Sequence, residues 1–157
     1  MNEKIRLLQA EIRADLQSIE ETYKILSTID KKRAEPEMDV VLGYYLHILY
    51  RLFENIFSRI ALAFENQIAD KSRWHAELLR RMTLEIEGIR PSAINPKTYQ
   101  SLDELRRFRH LFRNAYLLRF DPERLALVLK EARQLKTLYP KDLEAFLLFL
   151  DTLLVDE

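Results

Sequence analysis

The sequence predicts an all-α fold, an antiparallel helical bundle of about six helices with four long ones forming the core. Three observations carry this expectation. Only two glycines and five prolines interrupt 157 residues, which leaves little for hairpins or flexible linkers. Apolar residues recur at spacings of three and four over long stretches, the period of a helix with one buried stripe. No stretch alternates apolar and polar residues in the way a half-buried strand does. The length suits one domain, residues 1–157, large enough to bury a real core.

The first helix spans about Asn2 to Ile29, with Ile5, Leu8, Ile12, Leu16, Ile19, Tyr23 and Leu26 on one stripe. A single stripe on a helix this long calls for a long partner. The charged segment from Asp30 to Glu37 contains Pro36 and reads as a connector. A second helix, about Met38 to Asn66, is apolar over most of its circumference, so either the bundle surrounds it or part of its surface is a subunit interface. Its polar residues His47, Arg51, Glu54, Asn55 and Ser58 fall on one ladder. A third helix is expected over about Ser72 to Glu87, with Trp74, Leu78, Met82 and Ile86 on one face and Gly88 as its stop. Pro91 and Pro96 bracket the main irregular loop. The fourth helix starts either at Asn95-Pro96 or at the capping-box pattern Ser101-Leu102-Asp103-Glu104. Asp121-Pro122-Glu123 opens a fifth helix, and a sixth starts near Pro140, burying Leu143, Phe146, Leu147, Leu150 and Leu153.

Composition removes several classes of function. Lys plus Arg and Asp plus Glu both total 25, so there is no whole-protein positive field, and contact with a nucleic acid must rest on a local patch. The absence of cysteine excludes disulfides, thiolate metal sites and thiol nucleophiles. Three dispersed histidines without an HExxH pair give no metal site, and no glycine-rich loop is present to cradle a nucleotide. No cofactor is expected. The greasiest run, Val40 to Leu52, is broken by His47 and Arg51 and is too short to span a membrane. The N-terminus opens a charged helix and not a signal peptide, so a cytoplasmic protein is expected.

The fourth helix carries the most chemistry. Arg106, Arg107, Arg109 and Arg113 place four cations within eight residues, interrupted by Phe108, Phe112 and Tyr116. Such a segment must lie half in a core and half against an anion or water. At helical spacing Arg106, His110 and Asn114 form one ladder, and Arg109, Arg113 and Tyr116 the next. Leu105, Phe108, Phe112 and Ala115 take the core side, while Asp103, Glu104 and Asp121 flank the cations.

This segment resembles the HepT family, helical toxins of bacterial toxin–antitoxin modules whose antitoxin is a minimal nucleotidyltransferase, MNT. The family signature is an arginine, four to six intervening residues, a histidine, one residue and a tyrosine. The stretch from Leu102 to Tyr116 is similar to it. Weaker similarity runs through Tyr44-Tyr45-Leu46-His47, Arg59-Ile60-Ala61 and Trp74 to Leu79, so that about residues 40 to 125 are covered. The resemblance maps the motif arginine onto Arg109 and the motif tyrosine onto Tyr116. The motif histidine falls on Asn114, a departure from the pattern. It implies a homodimer, an MNT-type partner and metal-independent RNA cleavage. In such chemistry a cation holds the charge gathering on the phosphate and a base takes the 2′-hydroxyl proton. Arginine suits the first role and histidine the second. Asparagine does not titrate in that range, so activity weakened by roughly 10²–10⁴-fold, or lost, is expected.

One rescue, one placement of the polar seam and one alternative function stay open. His110 lies one turn before Asn114, about 5–6 Å away between Cβ atoms, and would act with Arg106 or Arg113 on a phosphate bound one turn lower. His47, Arg51 and Glu54 border the site if Glu54 pairs with Arg109 or Arg113; otherwise they form a buried network that fixes helix register. His75 reads as a surface residue at a helix start. The alternative function is a non-catalytic binding module whose Tyr116 accepts AMP from the nucleotidyltransferase, as the resemblance implies. The phosphate-binding candidates are therefore Arg106 and Arg113, beside Arg109, Asn114 and His110.

Overall fold

A computed structural model describes residues 1–31, 37–65, 73–113 and 121–154, the side chains of 110–113 excepted. It contains five helices: α1 (Asn2–Asp30), α2 (Glu37–Phe64), α3 (Trp74–Arg81), α4 (Pro96–Arg113) and α5 (Pro122–Thr152). Four are long and one is short. No strand occurs among the described residues, only an isolated antiparallel bridge between Ile86 and Arg90.

The periodic residues of α1 are buried as their spacing requires: Ile5, Leu8, Ile12, Ile19, Tyr23, Leu26 and Ile29 all lie in the core. Their partner is α2, which also packs on α3, α4 and α5 and so occupies the centre of the bundle. Leu42, Leu46, Leu49, Tyr50, Phe53, Ile56, Phe57 and Ile60 are almost fully enclosed. Helix directions follow from the polar pairs between elements. Arg59 near the end of α2 reaches Glu11 (2.7 Å) and Asp15 (3.2 Å) in the first half of α1, and α2 begins seven residues after the end of α1, so these helices run in opposite senses. Gln9 reaches Asp151 (2.7 Å), while the Tyr23 hydroxyl donates to the Ala132 carbonyl (2.7 Å), which sets α1 and α5 antiparallel. Asn95 bonds Asp142 and Ser101 bonds Glu131, which sets α4 and α5 antiparallel too.

Two expectations about elements are corrected and one left open is decided. The fifth and sixth helices are one helix, with Pro140 in its interior. Leu135, Tyr139, Leu143 and Phe146 continue one buried stripe across the proline. That packing outweighs the hydrogen bond the imino nitrogen cannot donate to the preceding turn. The third helix ends at Arg81 instead of Glu87. Gly88, at φ 76°, turns the chain between Ile86 and Arg90 and is not a helix stop. The fourth helix uses its earlier start: the Asn95 side chain accepts from the Thr98 amide (2.9 Å), with Pro96 at the first helical position. Ser101 is buried and donates to Glu131 (3.0 Å) instead of capping.

The loop between α3 and α4 is held by a residue that sequence patterning did not single out. Arg90 is fully enclosed and paired with Glu65 at the end of α2. Its guanidinium also donates to the carbonyls of Leu84 (3.0 Å), Pro91 (2.9 Å) and Arg81 (3.1 Å). A buried guanidinium with its donors satisfied fixes the path of the chain that enters α4.

Candidate functional site

Helix α4 buries Leu102, Leu105 and Phe108 against the core, which turns its arginines toward the edge of the bundle. They are not equivalent. Arg106 is held by Asp103 one turn earlier (2.8 Å), and Arg107 by Asp103 (3.1 Å) and, more loosely, Glu104 (3.8 Å). Glu104 also approaches Arg124 on α5 (3.9 Å), and Asp121 caps α5 by accepting from the Glu123 amide (3.0 Å). The flanking acids thus occupy Arg106 and Arg107. Arg109 differs: among the described residues it contacts no carboxylate, and its buried Nε has no hydrogen-bond partner.

What Arg109 does contact is His75. The guanidinium Nη1–H donates toward the imidazole Nε2 at 3.2 Å. The other ring nitrogen, Nδ1, lies 2.7 Å from the Glu54 carboxylate. A guanidinium only donates and an ionised carboxylate only accepts, so both contacts fit one tautomer, with the proton on Nδ1 and a lone pair on Nε2. The Trp74 ring stands edge-on to the imidazole, 4.6 Å between centroids at 80°, and limits its rotation. The side chain of Glu54 is 8% exposed and that of His75 is 33% exposed, so a buried carboxylate reaches the edge of the protein through an imidazole.

Glu54 has a second donor. The buried Tyr50 hydroxyl, one turn earlier on α2, is pushed well above the usual phenol range, first by burial and then by the adjacent Glu54, whose carboxylate accepts its hydrogen bond. Arg106 and Arg109 lie close enough to oppose this rise. With two donors on its oxygens, the buried carboxylate is compensated and its direction is set.

These positions amend the expected site. Glu54 does not pair directly with an α4 arginine; its carboxylate goes to His75, and the imidazole makes the link to Arg109. His75 is not a plain surface residue. Arg51 and Asn55 are exposed and His47 is half-buried, so the polar ladder of α2 divides and only Glu54 enters the core. The side chains of His110 and Arg113, and the whole of Asn114 and Tyr116, lie outside the described residues. One sequence signal marks the gap that His75 fills without naming it: Glu54 stands among Tyr50, Phe53 and Phe57 on an apolar helix, where a carboxylate needs a donor from another element.

Among the described residues no group of His, Asp and Glu is arranged to hold a metal ion, and no helix is long and apolar enough to cross a membrane. No curated protein and no solved structure matches the chain. A family model does. The model of the HepT-like protein family matches residues 41–150, from the start of the central helix to the buried end of α5, and takes in Glu54, His75 and Arg109. The match extends over more than half of the chain, and this protein belongs to the HepT-like family.

Proposed function

We propose that this protein is the HepT-like component of a bacterial toxin–antitoxin module, an RNase-toxin scaffold whose basic helix α4 takes the phosphate of an RNA strand. Membership of the family supports the setting. The observation that carries the reading is Arg109. It is the motif arginine and, among the described residues of α4, the arginine whose donors are not spent on a carboxylate. A guanidinium with donors in reserve at a protein edge suits bidentate binding of a phosphate. Asn114 in the motif histidine's place takes away the expected base, so cleavage is weakened or lost. By helical spacing His110 follows Arg106 by one turn and Arg113 follows Arg109 by one turn, and both stay candidates in this reading.

The partner in this reading is an MNT-type nucleotidyltransferase, with Tyr116 as the acceptor of AMP. AMP on Tyr116 would place a bulky anion beside Arg109 and close the site by charge and volume. A second copy of the chain is the other partner. Leu7 on α1 is 59% exposed and Leu62 on α2 is 74% exposed; both line one apolar cavity, which supports association through the first two helices.

The test is cleavage of single-stranded RNA by the wild type and by Asn114→His. The substitution is expected to raise the rate, by up to the roughly 10²–10⁴-fold that a placed base contributes where no other base acts. Failure of both proteins to bind or cut RNA would remove the RNase-scaffold reading. Co-purification with the nucleotidyltransferase, followed by ATP and Mg²⁺ and mass mapping of Tyr116, tests the partner.

A further inference from the structure

The base that Asn114 cannot supply has a candidate on another helix. We propose that His75 Nε2 is the proton acceptor of the Arg109 site, oriented by Glu54. This rests on the reading of Arg109 as the phosphate-binding cation given above.

The geometry has the parts that general-base catalysis requires. Nδ1 is committed to a buried carboxylate at 2.7 Å, which fixes ring orientation and leaves the lone pair on Nε2. Glu54 is itself held by the Tyr50 hydroxyl, and the Trp74 edge restrains the ring, so the imidazole is supported from two sides. Nε2 lies 3.2 Å from the same guanidinium that would hold the phosphate. A third of the His75 side chain is open to solvent, so a ligand can reach it.

In the free protein the Arg109 Nη1–H rests on Nε2. An RNA phosphate is the stronger acceptor, because its oxygens carry negative charge and can take two guanidinium N–H groups at once, whereas the neutral imidazole takes one. Binding of phosphate therefore draws Nη1–H onto a phosphate oxygen and frees the Nε2 lone pair beside it. The 2′-hydroxyl of the same nucleotide lies roughly 3–3.5 Å from phosphorus in an attacking geometry, within reach of a base on that side. His75 Nε2 takes the 2′-hydroxyl proton, the 2′-oxygen bonds to phosphorus, and the phosphorus–O5′ bond breaks. The 5′-oxygen takes a proton from solvent, and the imidazolium later returns one. The products are a 2′,3′-cyclic phosphate and a 5′-hydroxyl, with no oxidant, reductant or further reactant consumed. Arg109 and His75 are then catalytic residues, and Glu54 and Tyr50 are positioning residues.

The experiment follows cleavage of a 5′-labelled single-stranded RNA oligonucleotide across pH by the full chain and by His75→Gln, Glu54→Gln and Arg109→Ala. Binding of the same RNA is measured by fluorescence anisotropy, and folding by circular dichroism. Among the described residues, the charged groups in contact with the imidazole are Glu54 on α2 and Arg109 on α4, with Tyr50 on Glu54 and Arg106 near Tyr50. Burial drives Tyr50 upward, away from neutral pH, and the contribution of the imidazole is read by comparing the pH profile of His75→Gln with that of the wild type. The expected result is slow wild-type cleavage ending in a cyclic phosphate. His75→Gln should lower it by roughly 10²–10⁴-fold with RNA binding retained and should flatten the rise with pH. Glu54→Gln should lower it by roughly tenfold or more and move the rise without removing it. If His75→Gln does not fold, His75→Ala with added imidazole replaces it, and restored cleavage is expected. Cleavage indifferent to His75→Gln, or to imidazole, would overturn the proposal and leave the RNase-scaffold reading intact. RNA binding dependent on Arg109 but without wild-type cleavage would also overturn it and favour the lost-activity form of that reading. Absence of RNA binding would remove the reading itself.

Discussion

Arg90→Ala is the substitution whose effect the structure defines best. The guanidinium is fully enclosed and serves Glu65 and three main-chain carbonyls at once. Removing it strands the Glu65 side chain, which is 8% exposed, with Arg81 Nη1 at 3.8 Å as the remaining cation among the described residues. Breaking a buried ion pair by deleting one partner costs about 3–5 kcal/mol, and the approach of Arg81 brings the expected loss to the lower end, about 3 kcal/mol. That is a large share of the roughly 5–15 kcal/mol of a typical domain and corresponds to a fall in Tm of about 6–12 °C. Urea unfolding followed by circular dichroism reads the difference, with the slope in denaturant unchanged. Arg90→Lys should recover little, because one ammonium cannot reach a carboxylate and three carbonyls in the same plane. A loss below about 1 kcal/mol for Arg90→Ala, or full recovery with lysine, would refute the reasoning. The consequence reaches the site, since this loop joins the helix that carries His75 to the helix that carries Arg109.

Other substitutions and conditions have definite outcomes. Pro140→Ala restores a donor to an exposed position inside α5 and should raise stability by about 1–3 kcal/mol in the same urea experiment. Burial raises Tyr50, Tyr23 and Tyr139 above the phenol value of 10.0. A raised folded pKa means the unfolded chain loses these protons first, so stability is intact below about pH 10 and declines as pH rises beyond it. Thermal melts from pH 8 to 11 should show Tm falling only at the alkaline end, together with the rise of tyrosinate absorbance. Leu62→Glu places a charge on the apolar face of α1 and α2 and should convert a dimer to a monomer in light scattering, with the helical spectrum unchanged.

The fold was legible where a local pattern decides it. The three-and-four spacing of α1 and the all-round apolar character of α2 reflect what those helices bury, and their ends fall within about two residues of expectation. The errors lie where distant packing overrides local chemistry. Pro140 reads as a boundary, yet the stripe from Leu135 to Phe146 packs straight through it. The spacing of Trp74, Leu78, Met82 and Ile86 suggests four turns, but Arg90 draws the carbonyls of Arg81 and Leu84 to itself and the helix stops at Arg81. At the site, Arg109 and the demand of Glu54 for a partner were both legible. His75 was not, because its two partners lie 21 and 34 residues away in sequence and nothing local marks it.

The most direct test of the central claim is equilibrium binding of single-stranded RNA to the wild type and to Arg109→Ala and Arg107→Ala over a range of salt concentrations. Arg109 has its donors in reserve and Arg107 is tied to Asp103 and Glu104. The expected result is salt-sensitive wild-type binding that Arg109→Ala weakens by about tenfold or more while Arg107→Ala changes it little. Equal, small effects of the two substitutions would contradict the claim and leave α4 as a solvated basic face.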